Sequence, residues 1–260
     1  MFKDKVKRLC PEWLLGFLDA MPAKVGSYSF HSSRPDDIIN VLRGQHNLSL
    51  SLLDSYSLSS RIHKWHHYLP LYEKYFEKFR GRPLRFLEIG LGEGGSLSLW
   101  RNYFGPDATI FGIDINPSCK DFDGVDGVVR IGSQADDAFL KSVLEEMGGV
   151  DIVLDDGSHQ MLDIKASLRI LFPMLADGGL YLIEDLHTSY WRGWQGGYYS
   201  KNNFFNIAKE IIHDMHHWYH SKPIKHPLIA PSCKGIHIHD SIAVLEKGSV
   251  MPPKHSILER

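Results

Sequence analysis

The stretch LRFLEIGLGEGGSLSLWRNYF, residues 84–104, decides the fold. Its first part, LRFLEIG (84–90), is a short apolar run that ends on glycine, the pattern of a buried strand. Its last part, GSLSLWRNYF (95–104), spaces Leu97, Trp100 and Phe104 along one side of a helix. Between them, Gly90, Gly92 and Gly94 make a G-x-G-x-G turn. A strand that passes through a glycine turn into a helix is the opening of a β-α-β unit.

The same alternation continues downstream. ATIFGID (108–114), GVVRIG (127–132), DIVLDD (151–156) and GLYLIED (179–185) read as strands. ADDAFLKSVLEEM (135–147), QMLDIKASLRILFPML (160–175) and KNNFFNIAKEIIHDMHHWYH (201–220) read as helices. GIHIHDSIAVLEK (235–247) reads as two strands joined by a tight HDS turn. Near-continuous apolar strands alternating with helices predict an α/β fold: a mostly parallel seven-stranded sheet, helices on both faces, and an antiparallel pair at the C-terminal end. Upstream, LPLYEKYFEKF (69–79) and DDIINVLRG (36–44) are helical in pattern. The change of character near residue 83 divides the chain into a helical N-terminal extension, 1–82, and the α/β domain, 83–260.

Composition narrows the function. The chain has 260 residues, 43% hydrophobic and 23% charged, with a formal charge of −2. That balance gives no broad attraction to nucleic acid or to anionic membrane. Cys10, Cys119 and Cys233 lie far apart and form no CxxC, so neither a zinc knuckle nor a disulfide framework is expected, and a reducing cytoplasm is the expected home. MFKDKVKRLCPEWLLGFLDAMPA (1–23) has Pro11, Glu12 and Asp19 in its apolar run. It reads as an amphipathic helix packed on the core or a partner subunit, not as an export signal or a membrane span. The dense histidines at 63–67, 216–220 and 237–239 read as surface and partly buried side chains, because no matching carboxylate or cysteine lies at ligand spacing.

Two features carry chemistry. The first is the glycine loop with Asp114, which ends the next strand 20 residues after Gly94. An acid there takes the two hydroxyls of an adenosine ribose. NAD and S-adenosylmethionine both fit. Glu88 stands where a dinucleotide fold is usually apolar, and Glu93 would repel a pyrophosphate, so the cationic sulfonium is favoured. The second is the pair of acidic strand ends, Asp155–Asp156 and Glu184–Asp185. Parallel neighbours ~4.8 Å apart bring these ends to one edge, the edge that also carries the glycine loop. Converging carboxylates take up protons or hold a cation. Oxygen ligands without cysteine point to a hard divalent ion, Mg²⁺. Such an ion acidifies a bound hydroxyl, and His159 is placed to take the proton. The competing structural reading has Asp155, Asp156 and Ser158 capping the following helix.

HKWHHYLPLYEKYFEKFRGRPLRFLEIGLGEGGSLSLWRNYFGPDATIFGIDI, followed by GSQAD, LDDGSH and LIEDLHTSYW, resembles the metal-dependent sugar O-methyltransferases. The likeness covers about 60–191 and is nearest to the enzymes of macrolide sugars, with relatives that act on rhamnosyl polyketides and on a methylmannose polysaccharide precursor. It implies a Rossmann-like class I methyltransferase that uses S-adenosylmethionine and Mg²⁺, with Asp156, Glu184 and Asp185 as metal ligands and His159 as general base. The expected cofactor set is Tyr68, Glu88, Gly90, Gly92, Gly94, Ser96, Asp114, Ser133, Gln134, Asp136 and Asp155. A homo-oligomer, dimer or tetramer, is implied, with a small-molecule or glycan acceptor. The sequence departs from the family at SRIHKW (60–65), where an acidic Thr-Asp-Lys run is usual. The first 60 residues also leave no room for the large N-terminal domain of the macrolide enzymes, so a differently built acceptor pocket is expected. A catechol-type methyltransferase, an NAD-dependent oxidoreductase or hydroxylase-like protein, and a non-catalytic scaffold that binds S-adenosylmethionine remain as alternatives. RGWQGGYYSKNNF (192–204) reads equally as a lid over a sugar or as an ordinary surface loop.

Overall fold

The computed structural model describes residues 52, 54–56 and 62–258. The expected N-terminal amphipathic helix, the helix at 36–44 and Cys10 lie outside the described residues. Seven strands form one sheet: β1 (Leu84–Ile89), β2 (Ala108–Asp114), β3 (Val128–Ile131), β4 (Val150–Asp155), β5 (Leu175–Ile183), β6 (Cys233–Ile238) and β7 (Ala243–Lys247). Their order is β3-β2-β1-β4-β5-β7-β6. The first five pair in parallel, and β7 runs antiparallel between β5 and β6. The turn between β6 and β7 closes with His239 N donating to Ile242 O at 2.8 Å.

Strand residues alternate between two cores, as the period of two requires. Leu87, Ile89, Val153 and Ile183 face a core shared with α3 (Asp137–Met147), α4 (Met161–Leu171) and α5 (Phe204–Met215). Phe86, Ile110, Leu154 and Leu182 face the other, shared with α1 (Leu69–Phe76) and α2 (Gly95–Phe104). This second face is aromatic. The Trp100 ring centroid lies 5.2 Å from Tyr72, 5.6 Å from Phe76 and 5.1 Å from Phe86. Leu52, Tyr68, Leu69, Tyr72, Tyr75 and Phe76, all before Leu84, are buried in this core.

Two boundaries differ from the sequence reading. The helix expected over 160–175 stops at Leu171, and Phe172–Met174 is a 3-10 turn. Pro173 lacks the N–H that would continue the helix. β5 consequently starts at Leu175 and shifts register opposite Val150–Ile152, where Gly178 has φ +82°. The helix expected over 201–220 is α5 proper only from Phe204, because Asn203 caps it by accepting from Phe205 N at 2.9 Å. His63, His66 and His67 share no helix face; only His66–Tyr68 is helical there, as a 3-10 turn. Cys119 and Cys233 are buried and unpaired, and burial pushes their thiols up to about 11 and about 12. Among the described residues no helix is long and apolar enough to cross a membrane.

Candidate active site

The strand order reverses between β1 and β4, and ligands of open α/β sheets bind outside the carboxyl ends at such a point. The strand ends are in register there. Asp156 N donates to Ile89 O at 2.9 Å, and Glu184 N donates to Asp155 O at 2.9 Å. A cleft of about 590 Å³ opens above them, with Gly90, Gly92, Asp114, Asp156, His159 and Asp185 in its wall. A second recess of about 150 Å³, lined by Ser133 and Gln134, shares Gly90 and Asp114 with it.

Gly90 has φ +87°, and a Cβ there would lie 2.1 Å from the carbonyl oxygen of Asp156. The glycine lets the loop pass against the end of β4. At Gly94, φ +77°, a Cβ would meet the Phe122 ring at 2.5 Å. Gly90→Ala is expected to cost about 3 kcal/mol or more, combining a left-handed backbone with overpacking against backbone. Gly92 has φ +51° but open space, so Gly92→Ala should cost only about 1–2 kcal/mol. Urea unfolding midpoints of the two variants measure the difference.

The loop is closed by Asp114, which accepts from Leu91 N at 2.8 Å, from Gly92 N at 3.2 Å and from Asn116 N at 2.8 Å. Ser96 Oγ donates to Glu88 Oε2 at 2.7 Å. Glu88 is fully buried, which pushes its carboxyl up against the pull of Lys64. Gln134 ties the second recess to the end of β4: its Oε1 accepts from Ser158 N at 2.7 Å and its Nε2 donates to Asp155 Oδ1 at 3.0 Å.

The expected set divides. Gly90, Gly92, Ser96, Asp114, Ser133 and Gln134 line one recess or the other. Asp136 does not; it is exposed and caps α3, accepting from Ala138 N and Phe139 N at 3.0 and 3.1 Å. Asp155 does not face Glu184 and Asp185 across a gap. It has the parity of Val153, so its side chain enters the α4 core, where Ser167 Oγ and Tyr181 OH donate to its Oδ2 at 2.6 and 2.8 Å. Burial pushes it up, opposed by these bonds. Neither acid of the pair caps α4. Ser158 Oγ accepts from Gln160 N at 3.2 Å and donates to Asp163 at 2.7 Å.

Three groups converge in the cleft. The ligand atoms of Asp156, His159 and Asp185 lie within 4.8 Å of one another. His159 Nε2 is 3.9 Å from Asp156 Oδ1 and 3.6 Å from Asp185 Oδ2. His159 and Asp185 both hold positive φ, 56° and 55°, which non-glycine residues rarely adopt. Thr188 Oγ1 donates to the Asp185 carbonyl at 2.6 Å and lies 3.4 Å from that of His159. Tyr68 is buried and holds Asp185 from behind, its OH donating to Oδ1 at 2.8 Å.

Lys64 is the residue that sequence reasoning missed. Its Nζ donates to Asp156 Oδ2 at 2.6 Å and to Glu184 Oε2 at 3.0 Å, and lies 3.7 Å from Glu88 Oε1. Its side chain is only 3% exposed. Burial pulls its pKa down, but the carboxylates of Asp156, Glu184 and Glu88 outweigh burial and hold it well above the usual lysine value. Glu184 is also held by Tyr72 OH; burial and Asp156 push its carboxyl up, against Lys64 and Tyr72. Glu184 thus lies on the cleft floor with both oxygens engaged, and it is not one of the three converging groups. Glu88 and Glu184 share the strand parity of Phe86 and Leu182, which explains why both meet Lys64 on the aromatic face.

One ammonium among the carboxylates of Glu88, Asp156, Glu184 and Asp185 leaves an acidic floor. Two carboxylate oxygens open to the cleft are the donors a hard divalent cation takes. The histidine-rich segments gather no metal cluster among the described residues.

No protein-family model matches the chain. It is 40% identical over 197 residues to 8-demethyl-8-(2-methoxy-alpha-L-rhamnosyl)-tetracenomycin-C 3'-O-methyltransferase of Streptomyces olivaceus, covering 71% of this chain and 50% of that protein. It is 31% identical over 240 residues to mycinamicin VI 2''-O-methyltransferase of Micromonospora griseorubida, covering 86% of this chain and 59% of that protein. The chain thus spans about half the length of the curated relatives it matches. Among solved structures it is similar to MycE, a methyltransferase of the mycinamycin biosynthetic pathway in complex with Mg, SAH and mycinamycin VI. The TM-score is 0.68 at 31% identity, over 77% of this chain and 53% of that one. By sheet order and by sequence, the chain is a homologue of the antibiotic-sugar O-methyltransferases, built on the Rossmann-like class I methyltransferase fold.

Proposed function

We propose that this protein transfers a methyl group from S-adenosylmethionine to a hydroxyl of a glycosylated small molecule, assisted by Mg²⁺. The observation that carries the reading is the placement of Asp156, His159 and Asp185 in the same cleft as the glycine loop and Asp114. S-adenosylmethionine bound there supplies an electrophilic methyl group, and Mg²⁺ held by Asp156 and Asp185 lowers the pKa of an acceptor hydroxyl. The chain does the rest. Asp114 and the loop seat the nucleoside, with Ser133 and Gln134 in the adjoining recess. Glu93 in the cleft wall favours a cationic sulfonium over a pyrophosphate. His159, turned toward both carboxylates by its positive-φ backbone, accepts the hydroxyl proton.

The resemblance to sugar enzymes implies Glu184 as a third ligand. Its two oxygens already bind Tyr72 and Lys64, so we assign it to fixing Lys64 and leave Asp156 and Asp185 as the protein's cation ligands. Methyl transfer, followed as release of S-adenosylhomocysteine with rhamnosylated or deoxysugar-bearing aglycones as acceptors, is expected to stop in EDTA and return with Mg²⁺. Asp156→Asn should raise the Mg²⁺ requirement at least about tenfold, since a carboxylate ligand is worth more than the outer partners that cost 10–100-fold. Full activity in EDTA would remove the cation from the mechanism. Turnover of flat catechols alone would move the acceptor to an aromatic diol.

A further inference from the structure

His159 follows β4 and Asp185 follows β5, and both hold positive φ, 56° and 55°. Side chains rarely adopt this region, and such residues persist where their surroundings hold them. Thr188 reaches both. Its Oγ1 donates to the Asp185 carbonyl at 2.6 Å and lies 3.4 Å from the His159 carbonyl. The residue is 2% exposed, so bulk water does not compete for its hydroxyl. A threonine hydroxyl ordinarily closes its own turn by bonding a carbonyl three or four residues back. The bond to Asp185 does that. The approach to His159, 29 residues away in sequence, goes further and brings the ends of two strands to one group.

The hydroxyl is itself held in place. Thr188 lies in the 3-10 turn Leu186–Tyr190. Ser241 anchors one end of the turn: its carbonyl accepts from Leu186 N at 2.9 Å and its Oγ from His187 N at 3.1 Å. Asn203 anchors the other, its Nδ2 donating to Ser189 O at 3.0 Å. The segment 192–204 packs directly against the turn, where a Cβ on Gly196 would lie 2.4 Å from Ser189 O and 2.8 Å from Thr188 O. An anchored turn presents its hydroxyl at one point. His159 Nε2 lies 3.6 Å from Asp185 Oδ2, so turning either peptide about its strained backbone changes the distance between the two side chains.

We infer that Thr188 is a positioning residue: its hydroxyl registers the His159 and Asp185 peptides on each other, so that the proton acceptor and the cation ligand keep a fixed separation. The inference rests on the methyltransferase reading and adds a residue behind the cleft wall rather than in it.

The test compares Thr188→Val, which keeps the shape and removes the hydroxyl, with Thr188→Ser, which keeps the hydroxyl. Mn²⁺, a hard divalent cation visible by electron paramagnetic resonance, is titrated into the full-length protein loaded with S-adenosylhomocysteine. Thr188→Val is expected to weaken Mn²⁺ binding at least about tenfold, the lower end of what outer partners of metal ligands contribute. Thr188→Ser should stay close to the parent, with S-adenosylhomocysteine affinity unchanged in both. In turnover of a rhamnosylated aglycone, Thr188→Val should lower kcat by about 10–100-fold and leave the KM for S-adenosylmethionine unchanged. Should the valine variant fail to bind S-adenosylhomocysteine, Thr188→Ala carries the same comparison. A role confined to the turn would lower the thermal midpoint of Thr188→Val but leave Mn²⁺ affinity and kcat at parent values, which would overturn the inference. Thr188→Ser as impaired as Thr188→Val would overturn it too, because the methyl group and not the hydroxyl would then matter. Failure of the parent to bind S-adenosylhomocysteine would instead sink the methyltransferase reading.

Discussion

His159→Ala is expected to lower kcat by about 10²–10⁴-fold, the usual contribution of a positioned general base, while S-adenosylhomocysteine affinity stays within a few-fold of the parent. The expectation follows from position. The imidazole lies between the two carboxylates that face the cleft, yet at 3.6 and 3.9 Å it is committed to neither. Its backbone is in a conformation that costs about 1–3 kcal/mol outside glycine, and Thr188 lies beneath both strained residues. A Mg²⁺ titration of the same variant separates two roles. Unchanged Mg²⁺ affinity marks His159 as the base. A large loss of Mg²⁺ affinity marks it as a third ligand, which its inclusion in the converging cluster permits.

Lys64→Met should unfold the site more than it alters the sheet. Removing one partner of a buried ionic network strands the others, at about 3–5 kcal/mol. Here Asp156 and Glu184 lose a shared ammonium at 2.6 and 3.0 Å, in surroundings where the lysine side chain is 3% exposed. Urea denaturation of the metal-free protein reads the loss as a lowered midpoint at unchanged m-value. A Lys64→Met midpoint equal to that of the parent would show that the ammonium is not the counter-ion of this floor. Added Mg²⁺ should recover part of the loss, because a cation bound only by the folded state stabilises it by mass action.

Lys64 also marks how far the sequence could be read. The strands and the helix–strand alternation were legible because β1 and β4 are short, near-continuous apolar runs buried on both faces, whereas α2 and α3 repeat their apolar residues every three to four positions. The glycine loop and the acidic strand ends were legible because parallel topology forces strand ends to one edge. The reading failed where side chains from distant segments choose partners. Four acids at one edge signal a missing positive charge, and the expected Mg²⁺ answers only part of it. The chain supplies part of it from Lys64, 92 residues before Asp156 and 120 before Glu184, with no local pattern to announce it. Asp155 went astray for a simpler reason. Adjacent strand residues point to opposite faces, so Asp155 and Asp156 never belonged to one group, and the parity of Val153 was enough to say so. Asp136 precedes a helix that needs an N-cap, and capping is what it does. Pro173 inside the expected helix was a visible stop signal.

The central claim is that the glycine-loop cleft holds S-adenosylmethionine beside a divalent cation bound by Asp156 and Asp185. Calorimetric titration of the purified protein with S-adenosylhomocysteine, then with Mg²⁺, with NAD as control and with Asp156→Asn in parallel, tests it most directly. The account predicts saturable S-adenosylhomocysteine binding, a separate Mg²⁺ isotherm that Asp156→Asn weakens or abolishes, and no NAD binding. NAD binding in place of S-adenosylhomocysteine would contradict it.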